Sequence, residues 1–338
     1  MFYAKRCVLM SIACFFIPLW CASACHSHEV DELKIQAKAG SVLAQLKLGA
    51  LYYSGGKLPW DPSQILKFTQ DDAIRGDVKA QISLGRRYFK GNGVAKDLSQ
   101  AQYWFTQAAE QGDVATQFAL AMLYLNGNEL PQNYPAAIQW LTRAANQGDA
   151  KAQFNLGLIY HTGKGAAVDW VAARDWYTKA ANQGQVNAQI NLATLYYNGE
   201  GTAQDYAQAV HWFSQAAQQG NADAQARLGT LYYSGKVDPD YQKAMEWLRK
   251  SAAQDNKMAF WGIGNLYAFA AGVPASPVIA LAAINASIKE INEDNHKALL
   301  ASMSKSDIEK AKYLTDEMLK PNNFLVVLDR YLSENKKR

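Results

Sequence analysis

Aromatic residues recur at a nearly fixed interval along this chain: Phe68, Trp104, Trp140, Trp176, Trp212 and Trp247. Each step is 36 residues except the last, which is 35. A period of this length marks a solenoid, in which each short supersecondary unit buries its apolar face against its neighbours. The constraint reaches function as well as fold, because a solenoid offers an extended binding surface in place of a single catalytic pocket. The 338 residues are therefore read as one repeat body and not as two or three separate domains.

Aligned on that ladder, every unit holds two helical stretches. The first carries Ala-Gln, then Leu-Gly or Leu-Ala, then Tyr, as in Ala152-Gln153/Leu156-Gly157/Tyr160 and Ala188-Gln189/Leu192-Ala193/Tyr196. Ala, Leu and Tyr at i, i+4 and i+8 share one helical face, and the small residue beside the leucine marks a close helix crossing. A glycine-rich turn such as Gly163-Lys164-Gly165 ends this helix. Asp61, Asp97, Asn133, Asp169, Asp205 and Asp240 then stand as N-caps of the second helix, which carries the aromatic and an Ala-Ala pair and closes on Gly76, Gly112, Gly148, Gly184 or Gly220.

Two short antiparallel helices per unit, with small residues at the crossings, resemble the Sel-one-like (SLR) repeats, relatives of the tetratricopeptide repeats. The resemblance runs from about Val30 to Asn292, with six good units and a divergent seventh over Asn256 to Ile291, where Asp255 replaces the closing glycine. It implies an all-α, right-handed α/α superhelical solenoid of about seven hairpins, assigned to residues 29–292, followed by capping helices and a basic tail over residues 293–338. In the cap, Ser306-Asp307-Ile308-Glu309 reads as a capping box opening a helix, with a last helix from about Asn323 to Ser333.

Residues 1–24 read as a secretory signal: Lys5 and Arg6 form the positive end, Val8 to Leu19 the apolar stretch, and Ala22-Ser23-Ala24 a small-residue cleavage site. All four cysteines lie at or before residue 25 (Cys7, Cys14, Cys21 and Cys25). An exported body without disulfides is consistent with a repeat core large enough not to need them. Cleavage after Ala24 would leave Cys25 as the N-terminal residue, and Ala-Ser-Ala-Cys resembles a lipoprotein box, although Ala22 stands where leucine is usual. Two forms stay open: a lipoprotein anchored through Cys25, with His26 favouring the outer membrane, and a freely soluble periplasmic or secreted protein.

With 49% hydrophobic and 19% charged residues the chain has ample core and too little charge for disorder. Its net charge of +4 falls to about +2 without Lys5 and Arg6, and no basic stripe is interleaved with aromatics, which speaks against nucleic acid as a partner. His26 and His28 lack a third ligand nearby, and no nucleophile, base and acid are set by a recognisable motif, so neither metal, cofactor nor catalytic residue is expected. Cysteine-rich Sel-one-like members have been associated with β-lactam binding, but they carry a disulfide in each repeat and this body has none.

The periodic aromatics do the same work in every unit, which is packing; Trp60 and Trp170 fall off the period and are freer to be contacts. Function belongs to the positions that vary. In tetratricopeptide-like solenoids the first helices line the concave groove, and the variable positions there supply Tyr53, Arg86, Phe89, Asn155, His161, Asn191, Tyr197, Arg227 and Tyr233. Tyrosine and arginine are favoured at protein interfaces. The same aromatic series could equally pack neighbouring helices together. The resulting expectation is a non-enzymatic scaffold of the bacterial envelope that binds a partner protein or peptide. An immunity protein against a secreted effector such as a phospholipase is one alternative, and a cell-wall hydrolase or β-lactam-binding protein is another.

Overall fold

The computed structural model describes residues 62–287 and 293–335, together with Glu32, Leu33, Ile35, Gln36 and Ala44. The leader, Cys25, Tyr53, Trp60, Asp61, the His26/His28 pair and the basic tail lie outside the described residues. Among the described residues the fold is all-α, with sixteen helices and no strand. None of these helices is long and apolar enough to cross a membrane. Contacts divide the chain into an N-terminal body, Met1–Ala144, and a C-terminal body, Ala145–Arg338.

Helix α1 (Pro62–Ile74) precedes α2 (Val78–Lys90), α3 (Leu98–Glu110), α4 (Val114–Asn126) and α5 (Tyr134–Asn146). The C-terminal body continues with α6 (Ala150–Thr162), α7 (Trp170–Asn182), α8 (Val186–Asn198), α9 (Tyr206–Gln218), α10 (Ala222–Tyr233), α11 (Tyr241–Ala252), α12 (Lys257–Ala268) and α13 (Pro277–Ser287). Even-numbered helices from α2 to α12 are the first helices of successive repeats, and α2, α6, α8, α10 and α12 each pack on the odd-numbered helix that follows. The hairpin closes at its loop through one repeated bond. The backbone N–H of the cap residue reaches the carbonyl of the fixed tyrosine, as from Asp169 to Tyr160 and from Asp205 to Tyr196, both at 2.9 Å.

The expected caps open the second helices: Asp97, Asn133, Asp169, Asp205 and Asp240 all accept backbone N–H groups in the first turn. First helices are capped the same way by Asp77, Asp113, Asp149, Gln185 and Asn221, just after the closing glycine. In the divergent seventh repeat Asp255 takes the closing glycine's place at φ 56°, so the left-handed turn survives the substitution.

A buried glutamine ties each repeat to the next. The glutamine of the Ala-Gln pair donates to a carbonyl of the preceding helix, from Gln81 to Ala73 (3.1 Å), Gln153 to Ala145 (3.0 Å) and Gln189 to Ala181 (3.2 Å). Its own side-chain oxygen accepts from a glutamine at the end of the second helix of the same repeat: Gln111 onto Gln81, Gln183 onto Gln153, Gln219 onto Gln189 and Gln254 onto Gln225, all at 2.8–3.0 Å. A buried amide satisfied on both sides fixes register, since any slip would leave donor and acceptor unpaired in a low-dielectric site.

The tryptophan ladder packs, but less deeply than its regularity suggests. Trp104 and Trp140 are buried, whereas Trp176, Trp212 and Trp247 are only half-buried. The deepest position is the next one along, held by Leu141, Tyr177, Phe213 and Leu248, each at most 2% exposed. A cation three residues on covers the outer ring face in three repeats: Arg143 at 4.7 Å from Trp140, Lys179 at 3.9 Å from Trp176 and Lys250 at 4.2 Å from Trp247.

The last repeat is sealed by α14 (Glu293–Ala301), α15 (Lys305–Met318) and α16 (Phe324–Asn335). Phe324 stacks on the buried Phe260 with ring centres 3.8 Å apart, and Arg249 holds Asp329 through two bonds of 2.8 and 2.6 Å. The cap of α15 is Ser304, two residues before the expected Ser306. Its hydroxyl accepts from the Asp307 N–H (3.1 Å) and donates to the Asp307 carboxylate (2.8 Å), so the helix opens on a Ser304–Asp307 cap.

Candidate partner-binding surface

In the C-terminal body the first helices α8, α10 and α12 present a pocket of about 250 Å³, lined by Thr194, Tyr197, Asn198, Phe213, Arg227, Thr230, Leu231, Ser234 and Met258. The floor comes from residues buried by the repeat itself: Phe213 reaches up from α9 and Leu231 faces inward from α10, both 2% exposed. The rim comes from the positions that the repeat leaves unspecified. Its hydroxyls donate to their own helices, Thr194 to the Ile190 carbonyl, Thr230 to that of Ala226 and Ser234 to that of Leu231, at 2.9, 2.9 and 3.1 Å. With their protons so used, these oxygens offer lone pairs to an incoming N–H.

Arg227 is exposed, its guanidinium 5.9 Å from the Phe213 ring centre, and no described carboxylate pairs with it. Tyr197 stands edge-on to Tyr206 at 5.4 Å and accepts a 2.6 Å hydrogen bond from the Lys236 ammonium, which also lies 4.3 Å from the Tyr197 ring centre. That hydrogen bond raises the Lys236 pKa. Met258 is 38% exposed at the edge, a flexible apolar side chain suited to an irregular partner. The whole is an apolar cup with acceptors on its rim and a fixed positive charge beside it.

Of the residues expected to line a groove, the structure brings Tyr197 and Arg227 into this one pocket. The others are dispersed or engaged in packing. Phe89 lies against Phe105 within its own hairpin at 6.4 Å. His161 Nδ1 lies 3.2 Å from the Tyr177 hydroxyl, with its ring edge-on to Trp170 at 4.9 Å, while Asn191 also bonds that hydroxyl. Asn155 is turned onto its own helix, donating to the Lys151 carbonyl at 2.8 Å. Tyr233 accepts from Asn265 at 3.5 Å, and burial pushes its pKa up. The aromatic series is therefore largely helix packing, with Tyr197 the member that keeps a place at a pocket. Arg86 is exposed on α2 of the N-terminal body, beside a separate open hollow.

Ser234, Asn198 and Met258 were not legible as lining residues. Ser234 and Asn198 sit at helix ends where polar residues are common, and Met258 belongs to the divergent repeat. Thr194 and Thr230 stand five residues after Gln189 and Gln225, at a position whose residue type changes from repeat to repeat. Among the described residues no group of three His, Cys, Asp or Glu side chains is placed to hold a metal.

The Sel1 repeat model matches residues 42–64, 78–113, 114–149, 150–185, 186–221 and 222–256. A Sel1 repeat protein from Oxalobacter formigenes is 30% identical, with a TM-score of 0.59 over 85% of this chain and 80% of that one. The protein c5321, a protective antigen of uropathogenic Escherichia coli with an SLR fold, is 23% identical, with a TM-score of 0.40 over 90% of this chain and 97% of that one. The immunity protein PA5088 from Pseudomonas aeruginosa is 20% identical, with a TM-score of 0.32 over 66% of this chain and 80% of that one. No curated protein matches the chain. On the six matched repeats, which cover more than half of its length, and on its likeness to the Oxalobacter protein, the chain belongs to the Sel1 repeat family.

Proposed function

We propose that this chain is an exported, non-enzymatic scaffold of the bacterial cell envelope that binds a partner protein or peptide through the first-helix face of its C-terminal body. Sel1 repeat proteins are in general non-enzymatic scaffolds that bind protein partners. The observation that carries the assignment to this face is the pocket between α8, α10 and α12, where an apolar floor, hydroxyl acceptors and the unpaired Arg227 meet. An apolar side chain of the partner fills the cup, its backbone N–H groups meet Thr194 and Thr230, and a carbonyl or carboxylate meets Arg227. Hot spots of this kind concentrate binding energy in a few desolvated anchors.

The test is retention of envelope proteins on immobilised wild type, Arg227→Glu and Thr230→Trp, the last filling the cup without altering the hairpin's packing face. A partner kept by wild type and lost by both variants supports the proposal, and an unchanged set of partners across all three contradicts it. Export and anchoring rest on the leader and on Cys25. Labelled-lipid incorporation in wild type but not in Cys25→Ser is the expected result, and an unlabelled wild-type protein removes the anchor from the account.

A further inference from the structure

Helix α2 departs from the repeat in charge. Its sequence carries Lys79, Arg86, Arg87 and Lys90 and no acidic residue. The other described first helices have at most one lysine or arginine each, Lys151 on α6, Arg227 on α10 and Lys257 on α12, and none on α4 and α8. Among the described residues none of the four α2 cations forms an ion pair. All four line one open hollow of about 520 Å³, with Ile82, Ser83 and Asn92 between them.

Arg87 is the sharpest of these departures. One, two, three and four repeats later its position holds Leu123, Ile159, Leu195 and Leu231. The last three are buried at 5%, 0% and 2% exposure. A guanidinium where the fold elsewhere requires a branched apolar side chain breaks a local rule, and such breaks are found at functional positions. The like charges also repel along the helix, since Arg86 and Lys90 are four residues apart and Arg87 and Lys90 three, while proximity to the helix C-terminus offsets part of this.

We propose that the α2 hollow is a docking site for an acidic segment of a protein partner. The site is in the N-terminal body and is independent of the pocket at Tyr197. From Lys79 to Lys90 the cations span about 16 Å at the helical rise, the length of about five residues of extended chain. An acidic peptide lying along α2 meets each cation in turn, and its apolar members rest on Ile82. Among the described residues no aromatic side chain lines the hollow for base stacking, which disfavours nucleic acid. A bilayer surface is disfavoured because α2 exposes no large apolar side chain for insertion.

The probe is a fluorescein-labelled hexaglutamate peptide, followed by anisotropy with the full mature chain at low and physiological ionic strength. The proposal expects binding that weakens with salt and falls at least about tenfold in the Arg86→Glu/Arg87→Glu double variant. Arg87→Leu, which restores the repeat's own residue, lowers affinity while leaving the melting temperature equal or higher, so loss of binding is separated from loss of fold. Thr230→Trp, and charge reversal at Lys243 and Lys250, leave affinity unchanged. Absence of binding, equal binding by the double variant, or an equal loss on reversing Lys243 and Lys250 overturns the proposal. So does tighter binding of a single-stranded oligonucleotide or of phosphatidylglycerol vesicles.

Discussion

Gly157 lies where α6 meets α7, and a Cβ built there would stand 2.5 Å from Tyr177 Cδ1. Gly157→Ala is expected to destabilise by about 1–3 kcal/mol through overpacking, read as a lower midpoint in urea. Tyr177 itself is fully buried, and desolvation pushes its phenol up to about 12, against a smaller opposing effect from Asn191. In the unfolded chain the same group titrates near 10.0, the ordinary value. Stability is accordingly independent of this group below pH 10 and falls as pH rises from 10 through 12, because only the unfolded state gains by ionising there. Chemical denaturation across that range is expected to show the loss, and Tyr177→Phe to reduce it, with the remainder due to Tyr124, Tyr233 and Tyr267, which burial also raises.

Pairs of helices were legible in the sequence because glycine stops, acidic caps and the i, i+4, i+8 face all repeat with one period. The glutamine of each Ala-Gln pair was visible only as a signature, since nothing in a single sequence says that its amide reaches a carbonyl eight residues back and a second amide about thirty residues on. The tryptophans misled in degree. Regular recurrence marks structural work, but Trp176 and Trp247 do it half-exposed under Lys179 and Lys250, with Tyr177 and Leu248 deeper. The candidate site was readable only as a set of variable positions, because convergence at a pocket depends on which of them a neighbouring helix covers. His161 and Tyr233 are covered and Arg227 is not. At this scale Gln189→Leu tests the inter-repeat tie. It removes the bonds to Ala181 and from Gln219, and is expected to destabilise by about 1–3 kcal/mol, whereas the exposed Gln208→Ala changes stability by less than about 0.5 kcal/mol.

A stack of repeats ends in an apolar face that something must cover. In the C-terminal body α15 packs on α13, and Phe324 of α16 covers Phe260. Deleting residues 324–338 is expected to lower the thermal midpoint and raise binding of a hydrophobic dye; an unchanged melt with no dye binding would show that α16 is dispensable to the core. With that end sealed, the surface left for a partner is the one that the repeat does not dictate, on the first-helix side. The most direct measurement is site-specific photo-crosslinking in the native envelope, with benzoylphenylalanine placed in turn at Thr230 and at Lys250. A discrete crosslinked partner from position 230 and none from position 250 is the predicted result. Crosslinking from position 250 alone, or no partner from either, would contradict the assignment of binding to the pocket at Tyr197 and Arg227.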